Sequence, residues 1–219
     1  MYRNKRLYYE LKHHFLQNLK QKMYDNPDIM KKAWITSNNI LQKYPPVKNE
    51  NKFIYGICCE RIFIRCMNEI ETCECLDDIH HIGSSYKNDC NFSFLNMQLS
   101  IKCTKSGGSI ILVNKLNKSE HDISGLHMAI IHFQHRRIYL FIHTDEFNKY
   151  IKSDGATVRY KASLFTFLKK NPKFYYEFPI EFDKYIVNNK PISIYNQIVD
   201  NEFKEYNEQN NEQSNEQNN

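Results

Sequence analysis

The apolar positions of the chain change period along its length. Between Tyr8 and about Gln42 they recur at helical spacing. Leu11, Phe15, Leu19 and Met23 follow an i, i+4 rhythm, Asn26-Pro27 interrupts it, and Met30, Ala33, Trp34 and Leu41 resume it on a second helix that Tyr44-Pro45-Pro46 stops. Ile54, Ile57, Cys58, Ile62, Cys66 and Ile70 predict the buried face of a third helix over Lys52 to about Glu71, with Glu60 inside it next to Arg61. The pattern then turns to short β-type runs. Ile79-His80-His81-Ile82 reads as a strand. Asn88 to Phe94 and Gln98 to Cys103 read as two arms of a hairpin about Leu95-Asn96-Met97. After the turn at Gly107-Gly108, Ser109 to Val113 is β-branched and reads as a strand, with a short helix as the alternative. Leu126 to Phe133 and Ile138 to His143 form the clearest hairpin, joined at Gln134-His135-Arg136-Arg137. Ser163 to Lys170 reads as a helix, followed by a Tyr/Phe-rich stretch that ends at Pro179.

These elements predict an α/β fold: a central mixed β-sheet flanked by helices. Residues 1–46 form an N-terminal helical region packed on a core of residues 47–199. Residues 200–219 form an acidic Asn/Gln/Glu-rich tail. From Asn207 onward this tail repeats Asn-Glu-Gln units with no apolar residue, which predicts disorder, because nothing there buries enough surface to offset the ordering entropy.

Composition adds three constraints. With 219 residues, 41% of them hydrophobic, the chain suffices for one sizeable domain. No apolar run is long enough to cross a bilayer, and the charged N-terminus lacks the apolar centre of a signal peptide, so a soluble intracellular protein of cytoplasm or nucleus is expected. The net charge of +5 is unevenly placed. Residues 200–219 hold six acids against Lys204, a balance of −5, which leaves +10 on the rest. A body that basic favours a polyanionic partner, nucleic acid being the commonest, although solvated lysine faces are also ordinary.

Seven cysteines without a secretory signal read as reduced thiols, most of them small buried apolar groups. Cys59, Cys66 and Cys73 recur every seven residues, a spacing for one helical face. A zinc site with His80 and His81 is conceivable, but no pair of C-x2-C units has the customary separation.

The chemistry concentrates at Asn88 to Cys103. In a paired hairpin, Asp89 at the head of one arm and Lys102 on the other would meet at one end of the sheet. An acid that holds a divalent metal beside an amine that orients a water suits phosphodiester hydrolysis. The alternative is a turn aspartate and an edge lysine that guards against aggregation.

Read in order, the chain offers a helix with an internal acid (Glu60), a strand, a strand opening with Asp89, and a strand carrying Ser100-x-Lys102. This order resembles the PD-(D/E)XK nuclease superfamily, which includes many type II restriction endonucleases, over about residues 52–143. The resemblance implies a restriction-endonuclease-like core and a Mg²⁺-dependent endonuclease of double-stranded DNA, with Mn²⁺ as a substitute and a homodimer matched to a palindromic site. It implies Asp89 and Glu60 as metal ligands and Lys102 as the motif lysine. The chain departs from the family at Ser100, where a Glu, Asp or Gln is usual, since a hydroxyl supplies no charge to Mg²⁺. Some members that read Ser-x-Lys draw the missing acid from the following helix. Glu120 fills that role if Ser109 to Glu120 is helical, and Gln98, on the same strand face as Ser100, is the weaker substitute. A catalytically dead DNA-binding relative is the other reading of Ser100.

Asp78 to Ile82 with Asn88 and Asn91 has a fainter likeness to an HNH endonuclease opening, but Phe92 to Cys103 reads as strands where that motif needs a metal-bearing helix. Candidate DNA contacts are the turn His135-Arg136-Arg137, with Lys105, Lys115 and Lys118 near the Ser-x-Lys strand. Lys152 to Lys161 is a candidate recognition loop, and the helix lysines Lys12, Lys20, Lys22, Lys31 and Lys32 are candidate phosphate contacts.

Overall fold

A computed structural model describes residues 2–44, 49–71, 73–75, 90–92, 97–106, 110–114, 125–153 and 157–186. Three long helices come first: α1 (Tyr2–Asp25), α2 (Pro27–Lys43) and α3 (Asn49–Ile70). Pro27 starts α2, where a missing N–H costs nothing, and Asp28 complements the helix dipole in the same turn. Among the described residues nine strands follow: β1 (Cys73–Cys75), β2 (Cys90–Phe92), β3 (Met97–Thr104), β4 (Ile110–Asn114), β5 (His127–His132), β6 (Arg137–Ile142), β7 (Ile151–Ser153), β8 (Thr157–Tyr160) and β9 (Tyr175–Glu177), with a short helix α4 (Ser163–Leu168) between the last two.

Six strands form a mixed sheet in the order β1-β2-β3-β5-β6-β9. All neighbours are antiparallel except β3 and β5, which run parallel with Ser100 opposite Met128 and Lys102 opposite Ile130. The remaining strands form a small antiparallel sheet, β4-β8-β7. The expected α/β class with a mixed sheet and flanking helices is therefore present.

The sheet separates two cores. On one face Leu99, Ile101, Ala129, Ile131, Ile138, Leu140 and Ile142 pack with the helices, where Phe15, Leu19, Trp34, Ile62, Phe63 and Met67 are buried. On the other face Met128, Ile130, Tyr139 and Phe141 pack against Phe147, Tyr160, Leu164, Phe165 and Leu168. Strand β5 is buried along its whole length, as its unbroken Met-Ala-Ile-Ile run requires of a strand covered on both faces. Trp34 of α2 stacks on Phe133 with ring centroids 5.5 Å apart, so the N-terminal helices share the main core.

Several sequence expectations need correction. Ile57 faces outward on α3, whose buried side instead carries Tyr55, Cys58, Cys59, Ile62, Phe63, Ile64, Cys66 and Met67. Packing between α2 and β3 demands a face wider than one i, i+4 stripe. Cys73 lies in β1, so the seven-residue cysteine spacing runs past the end of α3. Lys12 is buried and donates to the Gly125 carbonyl at 3.4 Å. Residues 110–114 are strand β4, paired with β8, and the helix on which Glu120 depended does not form there. Residues 151–153 and 157–160 of the expected recognition loop are the paired strands β7 and β8. The strand expected at 79–82, the residues Asp89, Lys115, Lys118 and Glu120, and the acidic tail lie outside the described residues. Among the described residues no helix is long and apolar enough to cross a membrane.

Candidate functional site

Strand β3 positions the candidate site. Leu99, Ile101 and Cys103 belong to the helix-facing core, and the Cys103 thiol lies 3.8 Å from the Gly56 carbonyl of α3. Alternation therefore sends Ser100 and Lys102 to the opposite face, beside Met128 and Ile130 of β5. The described ladder between β2 and β3 covers only Met97 to Leu99. The long Lys102 stem nonetheless brings Nζ to 3.5 Å from Glu60 Oε1 of α3, where it donates to the Ile101 carbonyl at 2.7 Å. Both side chains are mostly buried, 17% and 21% exposed.

The structure thus joins two residues that lie far apart in sequence, Glu60 and Lys102, and sets Ser100 on the same strand face as Lys102. Ser100 is itself buried, 2% exposed, and Gln98, also on that face, is exposed. Glu60, Ser100 and Lys102 each take part in further interactions. Asp89 precedes Cys90, whose cross-strand partner is Leu99, the neighbour of Ser100. An ammonium held beside a carboxylate at a strand edge can release that carboxylate to a cation and turn toward a phosphate oxygen. Glu60 is the described residue fit to ligate Mg²⁺, a hard ion that accepts one or two carboxylates with phosphate and water filling the remaining positions. Among the described residues no three His, Cys, Asp or Glu side chains come together as a metal-binding group.

The turn between β5 and β6 has a different character. Arg136 sits at φ +56°, a left-handed conformation that costs roughly 1–2 kcal/mol for a residue with a Cβ. Its guanidinium pairs with Asp183, donates to the carbonyls of Phe178 and Pro179, and lies 4.9 Å from the Trp34 ring. Trp34 Nε1 donates to the other oxygen of Asp183 at 2.8 Å. Burial acts against ionisation of Asp183, but Arg136 and Trp34 prevail and hold its carboxyl below the usual range. Arg137 forks onto Glu177, with both oxygens 3.2 Å from Nη2, and covers the Tyr175 ring at 3.9 Å. His135 lies flat on His132 with ring centroids 3.5 Å apart and bonds Tyr139 Oη through Nδ1 at 2.9 Å. Burial, with Lys169 and Arg137 nearby, lowers its pKa. Burial drives His132 further, to about 3. The expected cationic tip is therefore two engaged arginines and a histidine disfavoured from charging.

Other expected cations are also occupied. Lys20 donates to the Pro172 and Lys173 carbonyls, Lys22 pairs with Glu71, and Lys31 lies 3.4 Å from the centre of the Tyr185 ring. Lys105 is exposed just past β3, and its carbonyl accepts from Gln134 N at 3.2 Å, so it stands beside the turn. The sequence reading missed Glu177 and Asp183. Glu177 ends β9 and Asp183 follows it, but no local spacing marks an ion pair formed across some forty residues. No family model, curated protein or solved structure matches the chain.

Proposed function

We propose that the chain is a metal-dependent endonuclease that hydrolyses phosphodiester bonds of double-stranded DNA on a restriction-endonuclease-like core. The observation that carries this reading is the Glu60–Lys102 pair at the edge of β3, with Ser100 on the same strand face. The pair unites the helix acid and the motif lysine of the nuclease resemblance. In this reading Glu60 and Asp89 hold Mg²⁺ or Mn²⁺, which would supply charge for the non-bridging oxygen and the leaving oxygen. Lys102 leaves Glu60 to orient the attacking water and offset phosphate charge. Glu60 and the Ile101 carbonyl keep the ammonium near the strand edge before substrate arrives. The exposed Lys105, just past β3, is a described cation suited to a backbone phosphate. A homodimer would match a palindromic target.

One observation favours a second reading, a DNA-binding protein without hydrolysis: Ser100 occupies a buried position that usually bears an acid, and nothing described replaces it. Incubating supercoiled plasmid with the protein, with and without Mg²⁺, separates the two. Linear or nicked product that needs metal, and is lost in Asp89→Ala, Glu60→Gln and Lys102→Ala, supports hydrolysis. Plasmid retained in a salt-dependent complex and left intact under Mg²⁺ and Mn²⁺ supports binding alone.

A further inference from the structure

Each residue of the Glu60–Lys102 pair has a cysteine beside it in sequence: Cys59 precedes Glu60 on α3, and Cys103 follows Lys102 on β3. Both cysteines face the seam between these elements. Across this seam Cys103 is near enough to act on the ionisation of the Cys59 thiol. Cys103 Sγ also lies 3.8 Å from the Gly56 carbonyl, one helical turn before Cys59. The two differ in access, for Cys59 is fully buried and Cys103 is part-exposed. Both are free thiols.

We propose that Cys59 and Cys103 are a redox pair, oxidised by hydrogen peroxide to a disulfide that ties α3 to β3. Cys103 is the sulfur the oxidant reaches. Its sulfur attacks one peroxide oxygen, the O–O bond breaks, and Cys103 becomes a sulfenic acid as one water leaves. The Cys59 sulfur then attacks Cys103, forming the S–S bond. The departing hydroxide takes the Cys59 proton and leaves as a second water. Two electrons pass from the thiols to the peroxide. Cys59 is fully buried and Cys103 is not, so Cys59 is the resolving partner and not the first to react. A dithiol reductant reverses the bond by exchange. The proposal holds whether or not the chain cuts DNA, and it assigns these two of the seven cysteines a role besides packing.

The test treats the folded full-length protein with hydrogen peroxide, blocks remaining thiols, and maps peptides by mass spectrometry. The expected product is one cross-linked peptide joining Cys59 to Cys103, lighter by two hydrogens and released by dithiothreitol. Cys59→Ser should trap Cys103 as a sulfenic acid that dimedone captures, and Cys103→Ser should remove the cross-link. Dimedone-labelled Cys103 accumulating in the wild-type protein, a bridge from Cys103 to Cys58 instead, or both thiols unchanged while other cysteines oxidise would each overturn the proposal.

Discussion

Two cationic features looked alike in sequence and differ in the fold. At the β5–β6 turn, Arg136 is fastened to Asp183, to the Phe178 and Pro179 carbonyls and to the Trp34 ring of α2, and Arg137 to Glu177 and the Tyr175 ring of β9. On β3, Lys102 lies 3.5 Å from the Glu60 carboxylate, donates to the Ile101 carbonyl and takes part in further interactions. A guanidinium in a fork gives up several bonds when it leaves, whereas an ammonium on a four-carbon stem exchanges partners readily. Charge density along the sequence therefore does not locate a working cation. The turn acts as a clasp that closes the C-terminal segment onto the core, and the strand edge is where a cation can exchange one partner for another.

The sharpest way to separate the two features is to remove each cation in turn. Lys102→Ala is expected to lower metal-dependent plasmid cleavage by about 10²- to 10⁴-fold per folded molecule, the range of a positioned proton-transfer or charge-stabilising group, beyond any stability lost by breaking its mostly buried pair with Glu60. Arg136→Ala should act on stability alone. It should cost about 1–2 kcal/mol in urea unfolding, modest because Asp183 is well exposed, and leave cleavage per folded molecule unchanged. Equal losses of cleavage in both variants would erase the distinction.

Acid sharpens the same contrast. Asp183 has its pKa held below 3.8, so the clasp contributes fully above that value and is lost as pH falls through the lower folded pKa. The stability gap between wild type and Arg136→Ala, followed by denaturation at stepped pH, should be constant near neutrality and close in acid. His132 works in another window. Its folded pKa is pushed to about 3 from 6.5, so the unfolded chain takes up a proton first, and stability falls as pH drops from 6.5 toward 3. His132→Gln should flatten that slope whatever it does to the neutral value. The smallest effect belongs to Lys105→Ala, which should reduce the slope of log affinity for DNA against log salt by about 0.9, as expected for one phosphate contact. No change there would remove Lys105 from the interface.

What the sequence disclosed follows the range of the forces involved. Helix ends at Asn26-Pro27, the β2–β3 hairpin and the β5–β6 hairpin rest on local periodicity and turn chemistry, and they stand where expected. The β-branched run Ile110-Ile111-Leu112-Val113 is the expected strand, and the alternative of a helix there loses to pairing with β8, a partner that the local pattern does not name. Cys73 was grouped with α3 by a spacing that continues after the helix has stopped at Ile70. The Arg136–Asp183 and Arg137–Glu177 pairs leave no local mark. Lys102 stands out through its place opposite Asp89 in the hairpin and Glu60 through resemblance to a nuclease order; periodicity alone leaves Glu60 a surface residue.

Strand β5 supplies Ala129 and Ile131 to the helix-side core and Met128 and Ile130 to the aromatic one. Slipping it by a single position would exchange the two sets at once, so both interiors would be mispacked together. This stretch should accept conservative replacements while rejecting any insertion or deletion, which makes it the place where the chain's length, more than its letters, is under constraint.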